Sequence, residues 1–336
     1  MNNFFQSPLW KHIKTIIYGE ESFTIQLFDQ EYFGVTKRKS LWLTSVSWYQ
    51  VLGVQLPSNN MPWVADQVAK VYRDYSWLWS NISFQRWIVN EILRFHNVSH
   101  RSLDFARGMR QTRHQIEQRV QHETGLIPSF RENMPLATIM IDVSKSDEEL
   151  LSEMNSWAKS HVRKSLNHNM IFRVAEPKDY DRFYEEWMKI SWLKWFNTIS
   201  KSTYLKLMDY LTAANCGNIF MVSKDDVILW GSIAVYDDTT ITYLYGFSNR
   251  DPQYKNIGVH QFIKYHMFGW ARERWLRWMD LFGGAPTGFD EHPLSSVSKF
   301  KESLWGIKLE RYGNYDIVLN PILYKIFKAY HHMRKS

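Results

Sequence analysis

Apolar positions recur along this chain in two rhythms, every second residue in some stretches and every third or fourth in others, so strands and helices interleave. Ser7-Pro8 reads as an N-cap followed by proline at the first helical position. Trp10, Ile13 and Ile17 then share one helical face, Lys11 and Lys14 lie off it, and Gly19 is placed to end the helix. Strands are predicted over Phe23 to Phe28, Leu41 to Ser47 and Leu78 to Phe84, with helical spacing at Val64, Val68 and Val71 between the last two. Arg101 to Arg119 carries five arginines and a predicted helix, whose basic surface is either solvated or a phosphate-binding face. Pro135 to Val143 is strand-like. Ser144-Lys-Ser-Asp-Glu-Glu149 opens a helix with acidic residues suited to the positive end of its dipole, and that helix is expected to run into the basic patch Lys159 to Lys164.

The second half repeats this mixture. Ile171 to Val174 reads as a strand, and a helix runs from Pro177 to near Lys194. Tyr204 to Leu211 is helical. Asn218 to Ser223 and Val227 to Tyr236 form neighbouring strands turned by Lys224-Asp-Asp226, and Thr240 to Phe247 alternates as a third. Val259 to Arg274 is a helix leading to Met279-Asp280. Pro321 to Lys335 places Ile322, Ile326, Tyr330 and Met333 on one face, the stripe expected to pack on the body. Antiparallel turns mixed with helical connections predict an α+β, or mixed α/β, fold rather than a doubly wound parallel sheet.

The length of 336 residues suits two domains, and 45% hydrophobic residues supply two cores. A net charge of +7 favours anionic partners such as nucleic acid, a nucleotide-sugar or a membrane surface. Cys216 is the only cysteine, which excludes an intrachain disulfide and fits a reducing, cytoplasmic setting with a buried, inert thiol. No signal peptide or membrane span is read at the sequence level, and no histidine pair stands in an HExxH context, so no metal is expected.

Candidate chemistry gathers at Asp280-Leu-Phe-Gly-Gly284 and the helix carrying Lys301. The strand ends at Asp280, and Gly283 and Gly284 permit a tight turn or a close approach. A strand-end loop held by a rigid sheet is a common setting for a binding site.

Several segments together resemble the FemABX family, the aminoacyl-tRNA-dependent transferases that build peptidoglycan bridges. They are Ala137 to Leu150, Arg163-Lys-Ser-Leu166, Thr242-Tyr-Leu-Tyr-Gly-Phe-Ser248, Asp280 to Gly284, Lys299-Phe-Lys301 and Tyr315-Asp-Ile-Val-Leu-Asn-Pro321. Gln6 to Trp10 with Lys14 matches more loosely. The resemblance implies two GNAT-like (acyl-CoA N-acyltransferase-like) domains over residues 1–135 and 136–318, with 319–336 as a helix returning to the first; the helical arm of longer members is absent. It implies Lys301 as the catalytic residue, electrostatic in role, and Lys14, Tyr204, Tyr243, Tyr245, Asp280, Gly283 and Gly284 as substrate-binding positions. Tyr243 and Tyr245 alternate about Leu244 and are therefore expected on one side of their strand, contacting the precursor or packing. Lys14 is either a diphosphate contact or an exposed helix lysine, and Asp280 either accepts a proton or fixes a turn. The co-substrate would be aminoacyl-tRNA, with no further cofactor. The acceptor would be lipid II or UDP-MurNAc-pentapeptide, with a peripheral contact at the inner membrane leaflet as an allowed extension.

The sequence departs from the family pattern in informative places. Only Lys201 stands where a basic residue commonly precedes the tyrosine matching Tyr204, and no aspartate lies near Gln85-Arg86. Tryptophan occurs 16 times against 15 glycines, below the average glycine usage of about 7%. Trp275 and Trp195 fall where the pattern leads to glycine. UGA codons read as glycine would explain both, and a genuinely Trp-rich sequence is the competing explanation.

Two other functions compete. An acyl-CoA-dependent N-acyltransferase would need a phosphate loop, and Gln253-Tyr-Lys-Asn-Ile-Gly-Val259 fits one only in part, with Asn256 at the first glycine position. A non-enzymatic RNA-binding protein would fit the charge, but no RNA-recognition motif accompanies it.

Overall fold

Two mixed α/β units divide the chain. The computed structural model describes residues 7–27, 30–41, 44–54, 65–66, 69, 88–97, 109–130, 135–194, 199–287, 289, 291–304, 306–310, 314–318 and 320–333. One unit comprises Met1–Leu136, Pro286–Asp290 and Glu310–Ser336, and the other comprises Ala137–Ala285 and Glu291–Leu309.

The first unit begins with α1 (Pro8–His12), capped as expected by Ser7, whose Oγ accepts from the Trp10 N–H at 3.1 Å. The helix widens to a π turn over Ile13–Ile17 and stops at Gly19, where φ is +63°. Four strands follow: β1 (Ser22–Leu27), β2 (Gln30–Leu41), β3 (Thr44–Val54) and β4 (Ile88–Asn97). The strand expected over Leu41 to Ser47 instead straddles the end of β2 and the start of β3, which pair antiparallel with Leu41 opposite Thr44. Helix α2 (Met109–Thr124) occupies the end of the arginine-rich stretch and leads to β5 (Ile127–Pro128). The Leu78–Phe84 strand, most of the Val64–Val71 helix and the Gln85-Arg86 position lie outside the described residues.

Strand β6 (Ala137–Asp142) opens the second unit. Ser146 then makes a reciprocal capping box with Glu149 and starts α3 (Asp147–Glu153). The single helix expected there is broken: Met154 and Asn155 turn extended, and the Asn155 side chain caps a new helix, α4 (Ser156–Ser165), through the Ala158 N–H at 2.8 Å. Next come β7 (Ile171–Val174), α5 (Tyr180–Lys194) and α6 (Lys201–Ala213), close to the expected bounds. Strands β8 (Gly217–Lys224) and β9 (Val227–Tyr236) form the predicted hairpin, with Asp225 and Asp226 both at positive φ. Such a two-residue turn matches the twist of its flanking strands.

Strand β10 (Thr240–Ser248) connects through α7 (Val259–Glu273) to β11 (Trp278–Asp280), and α8 (Ser295–Ser303) precedes β12 (Ile307–Glu310). The sheet order is β12-β6-β11-β10-β9-β8-β7. Helices α3, α4 and α7 bury Leu150, Val162 and Phe268 against one face. On the other, Phe183 of α5 and Tyr204 of α6 stack at 5.9 Å, and Phe183 meets Phe247 of β10 edge-on at 5.2 Å.

The chain leaves the second unit earlier than the boundary at 318/319. Strand β13 (Asn314–Val318) joins the first unit's sheet, pairing antiparallel with both β4 and β5. Those backbone hydrogen bonds place the segment from Glu310 onward in the first unit, to which Pro286–Asp290 also belongs. In the C-terminal helix α9 (Pro321–Met333), Tyr324 and Phe327 are the buried residues, each 5.4 Å from the Phe130 ring. Ile322, Ile326 and Met333 of the expected packing stripe are exposed. The helix is rotated toward its larger aromatic side chains, and the Tyr324 hydroxyl locks that rotation by donating to Asp316 at 2.8 Å.

Candidate active site

The site begins where two strands part. Strands β10 and β11 run parallel, and their register pairs Thr240 with Trp278 and ends with Thr242 opposite Asp280. Past that rung β10 continues through Tyr243 while the other chain turns away through Phe282, Gly283 and Gly284. Asp280 organises this departure. Its Oδ1 accepts from the Phe282 N–H at 2.8 Å and from the Thr138 hydroxyl, so the carboxylate fixes the turn. Phe282 and Gly283 both take positive φ, at +39° and +78°. Gly284 then closes a bridge to β6, its N–H donating to the Ala137 carbonyl at 2.8 Å.

Lys301 reaches this turn from α8. It is only 6% exposed, and its Nζ donates to the carbonyl oxygens of Phe282 and of Gly283, the latter at 2.6 Å. An ammonium has three donors, so one remains for a ligand. Burial lowers the Lys301 pKa to about 8 against the opposing pull of Asp280, leaving the group mostly charged at neutral pH. Lys301, Asp280, Gly283 and Gly284 are therefore brought together as a single turn with a cation at its centre.

The tyrosines behave differently from their alternation. The β10–β9 register sets Tyr243 opposite Ala234 and Tyr245 opposite the adjacent Ile233, so a bulge falls at Leu244. Consecutive residues of β9 point to opposite faces, and the two tyrosines therefore do too. Tyr243 faces α7; Tyr245, 44% exposed, lies on the α5 side with its ring 5.5 Å from Trp187. Gly246 makes room for Tyr243: a Cβ there would stand 1.9 Å from the phenol oxygen. Tyr204 is not at the site. It is fully buried beneath α5 and its hydroxyl donates to the Tyr180 carbonyl at 3.2 Å, the role of a core tyrosine. Lys201 is an exposed partner of Asp181 at 2.7 Å. Lys14 belongs to the first unit, where it pairs with Glu20 at 3.6 Å and lies against the rings of Trp10 and Tyr18.

One residue of the site was missed from the sequence: Lys264. It projects from α7 with 2% exposure, and its Nζ stands 3.1 Å from the centroid of the Tyr243 ring with no hydrogen-bond partner. Burial, reinforced by Lys301, pushes its pKa well below that of an ordinary lysine. The only sequence signal was a lysine at a helical position whose neighbours Ile263, Met267 and Phe268 are core residues. Elsewhere, Cys216 is buried with its pKa pushed up to about 11, as an inert thiol requires. Among the described residues no group of His, Cys, Asp or Glu could hold a metal ion, and no helix is long and apolar enough to cross a membrane.

A parallel strand pair that parts beside a buried cation, on a mixed sheet with helices on both faces, is an α/β fold of the GNAT-like type. Residues 212–332, which include every element of this site except β6, match the FemAB family, so the FemABX resemblance read from the sequence holds over that stretch. The solved structure of FemX superposes over 97% of this chain and 94% of its own with a TM-score of 0.68 at 14% identity. A conserved protein of unknown function from Bacteroides thetaiotaomicron VPI-5482 does so over 95% and 92%, with a TM-score of 0.53 and 11% identity. The C-terminal DUF2156 domain of a putative lysylphosphatidylglycerol synthetase from Agrobacterium fabrum covers 96% and 95%, at 0.51 and 11%. At these identities the likeness is one of fold. Sequence comparison with curated proteins finds no match.

Proposed function

We propose that the chain transfers an aminoacyl group from aminoacyl-tRNA to an amine of a peptidoglycan precursor, on the stem peptide or growing bridge of lipid II or UDP-MurNAc-pentapeptide. The observation that carries this reading is Lys301, a buried ammonium held by two carbonyls at the parting of β10 and β11, with one donor to spare. The tRNA ester is already activated, so the reaction needs no ATP. It needs an oriented amine and a fixed positive group where the carbonyl oxygen becomes negative, or where the tRNA 3′ end is held. A preorganised donor of this kind lowers the barrier by roughly 3–4 kcal/mol. The FemAB match over 212–332 supports the substrate class, and lipid-linked precursors would bring the protein to the cytoplasmic membrane face.

The acyl-CoA alternative would use the turn that opens α7, where Gln253-Tyr-Lys-Asn-Ile-Gly-Val259 fits a phosphate loop only in part, with Asn256 at the first glycine position. Gly258, at φ +73°, is packed so closely on α4 that a Cβ would stand 2.9 Å from the His161 carbonyl oxygen. Purified protein supplied with labelled aminoacyl-tRNA or labelled acyl-CoA, together with precursor, tests the assignment. Transfer from the tRNA is expected. Transfer only from acyl-CoA would replace the reading, and tRNA binding without transfer would make the chain an RNA-binding protein.

A further inference from the structure

The reaction releases a proton, and the described site contains a group suited to receive it. An acceptor amine arrives mostly as an ammonium, since a lysine side chain has a reference pKa of about 10.4. It must become neutral before it can attack. Asp280 already accepts two hydrogen bonds through Oδ1 and serves the turn. Lys301 is charged and cannot take another proton. Lys264 remains.

Its placement is specific. Tyr243 is the first residue of β10 beyond the last rung with β11, and Lys264 Nζ lies over that ring. Lys301 Nζ binds the Phe282 and Gly283 carbonyls, two and three residues beyond the end of β11. The two amines thus approach the parting of β10 and β11 from different helices, near enough for the Lys301 charge to act on Lys264. A buried polar group without a hydrogen-bond partner is costly, and removing it in favour of an apolar chain of equal length ordinarily stabilises a core. Neighbouring Trp230 is also buried, its indole lying beside the Tyr243 phenol, and the His260 ring packs 4.2 Å from it. The titratable and charged groups facing Lys264 are the Tyr243 phenol from β10 and the Lys301 ammonium from α8, with Asp280 acting on Lys301 from β11. No anion among these stabilises its charged form; burial and the Lys301 charge both disfavour it, and only the Tyr243 ring face opposes them.

We propose that Lys264 is a further catalytic residue, the neutral amine that takes the proton lost by the acceptor. This rests on the aminoacyl-transfer reading. One proton passes from the acceptor ammonium to Lys264 Nζ. The freed nitrogen lone pair forms the C–N bond, and the carbonyl oxygen takes the negative charge near Lys301. When the oxyanion collapses, the C–O bond to the tRNA ribose breaks, and the ribose oxygen leaves with the second proton of the attacking nitrogen. Lys264 then returns its proton to solvent.

The experiment compares wild type with Lys264→Met and Lys264→Arg by thermal melting and steady-state transfer across pH. Lys264→Met should melt no lower than wild type, lose about 100-fold or more in kcat with little change in KM, and lose the acid limb of the pH profile. Lys264→Arg, which cannot give up its charge, should be equally inactive. Activity of Lys264→Met within threefold of wild type would overturn the proposal, and an active Lys264→Arg would overturn it in favour of a simple cation. If Lys264→Met fails to fold, the side-chain nitrogen shift of Lys264 in isotope-labelled wild type decides: a charged amine at pH 7 ends the proposal and a neutral one sustains it. A wild type that transfers nothing from aminoacyl-tRNA would defeat the functional reading itself, an outcome distinct from an active wild type whose Lys264 variants are unimpaired.

Discussion

Replacing Lys301 by methionine separates what this residue does for the fold from what it does for the reaction. The unfolded lysine holds its proton up to about 10.5, whereas the folded one releases it near 8. Between those values the unfolded state binds more protons, so the Lys301 contribution to stability rises with pH. Its burial penalty is fully present below pH 8 and gone above pH 10.5. A displacement of that size corresponds to about 3 kcal/mol. Methionine has no such penalty, but it leaves the Phe282 and Gly283 carbonyls without their donor, at a cost of about 1–3 kcal/mol each. At pH 7 the two effects largely offset each other, and wild type and Lys301→Met should melt within a few degrees. Between pH 8 and 9.5 wild type should gain about 2 kcal/mol on the variant, about 4–8 °C for a unit of this size. Transfer at pH 7.5 should fall by about 100-fold or more in the variant. Melting curves at half-unit pH steps, with transfer assayed on the same samples, provide the check. A stability gap constant with pH would show that Lys301 titrates as an ordinary lysine. A gap that narrows as pH rises would show an ion pair with Asp280 stronger than the burial, and would refute the reasoning.

Further expectations follow from single contacts. Gly246→Ala puts a methyl group onto the Tyr243 hydroxyl, so it should displace that ring and reduce transfer at least tenfold in a protein that still folds, as read by kcat and circular dichroism. Tyr204→Phe removes only the hydroxyl that donates to Tyr180; it should cost about 1 kcal/mol in denaturant unfolding and leave transfer within twofold. Trp275→Gly should raise stability by about 1 kcal/mol, because the position takes φ +60° and the ring is 92% exposed. Sequencing the gene completes that test, since a UGG codon at Trp275 would end the glycine-recoding explanation.

Elements whose ends carry a local chemical signal were legible from residues alone. Ser7-Pro8, Ser146 with Glu149, and Asp225-Asp226 each fix a boundary through one or two hydrogen bonds or a backbone angle, and each boundary lies where those residues put it. What misled the alternation at Tyr243 and Tyr245 is a bulge, which depends on the register against β9 and leaves no mark in the residues of β10 themselves. The exposed stripe of α9 failed for a related reason. Periodicity identifies an apolar face, but Tyr324 and Phe327 outweigh Ile322 and Ile326 only because Phe130 and Asp316 are there to receive them. Tyr204 was singled out by a motif position, whereas its surroundings on α5 make it core.

Trp275 shows how the local and long-range signals meet at the active site. A glycine is the expected residue at the end of α7, because a helix closing there needs a left-handed residue. The helix does close that way: the Trp275 N–H donates to Arg272 at 2.9 Å and the Leu276 N–H to Ala271 at 3.1 Å, the paired bonds of a Schellman motif. Trp195 lies outside the described residues. The tight closure matters beyond the helix end, because it delivers β11 directly, and the third residue of β11 is Asp280. Asp280 sets the turn whose carbonyls hold Lys301, while α7 itself carries Lys264. Lys301 was legible because its turn is built from neighbours in sequence, Asp280 to Gly284. Lys264 was not, because an interior lysine declares itself only when the sheet beneath it parts and its amine is left without a partner.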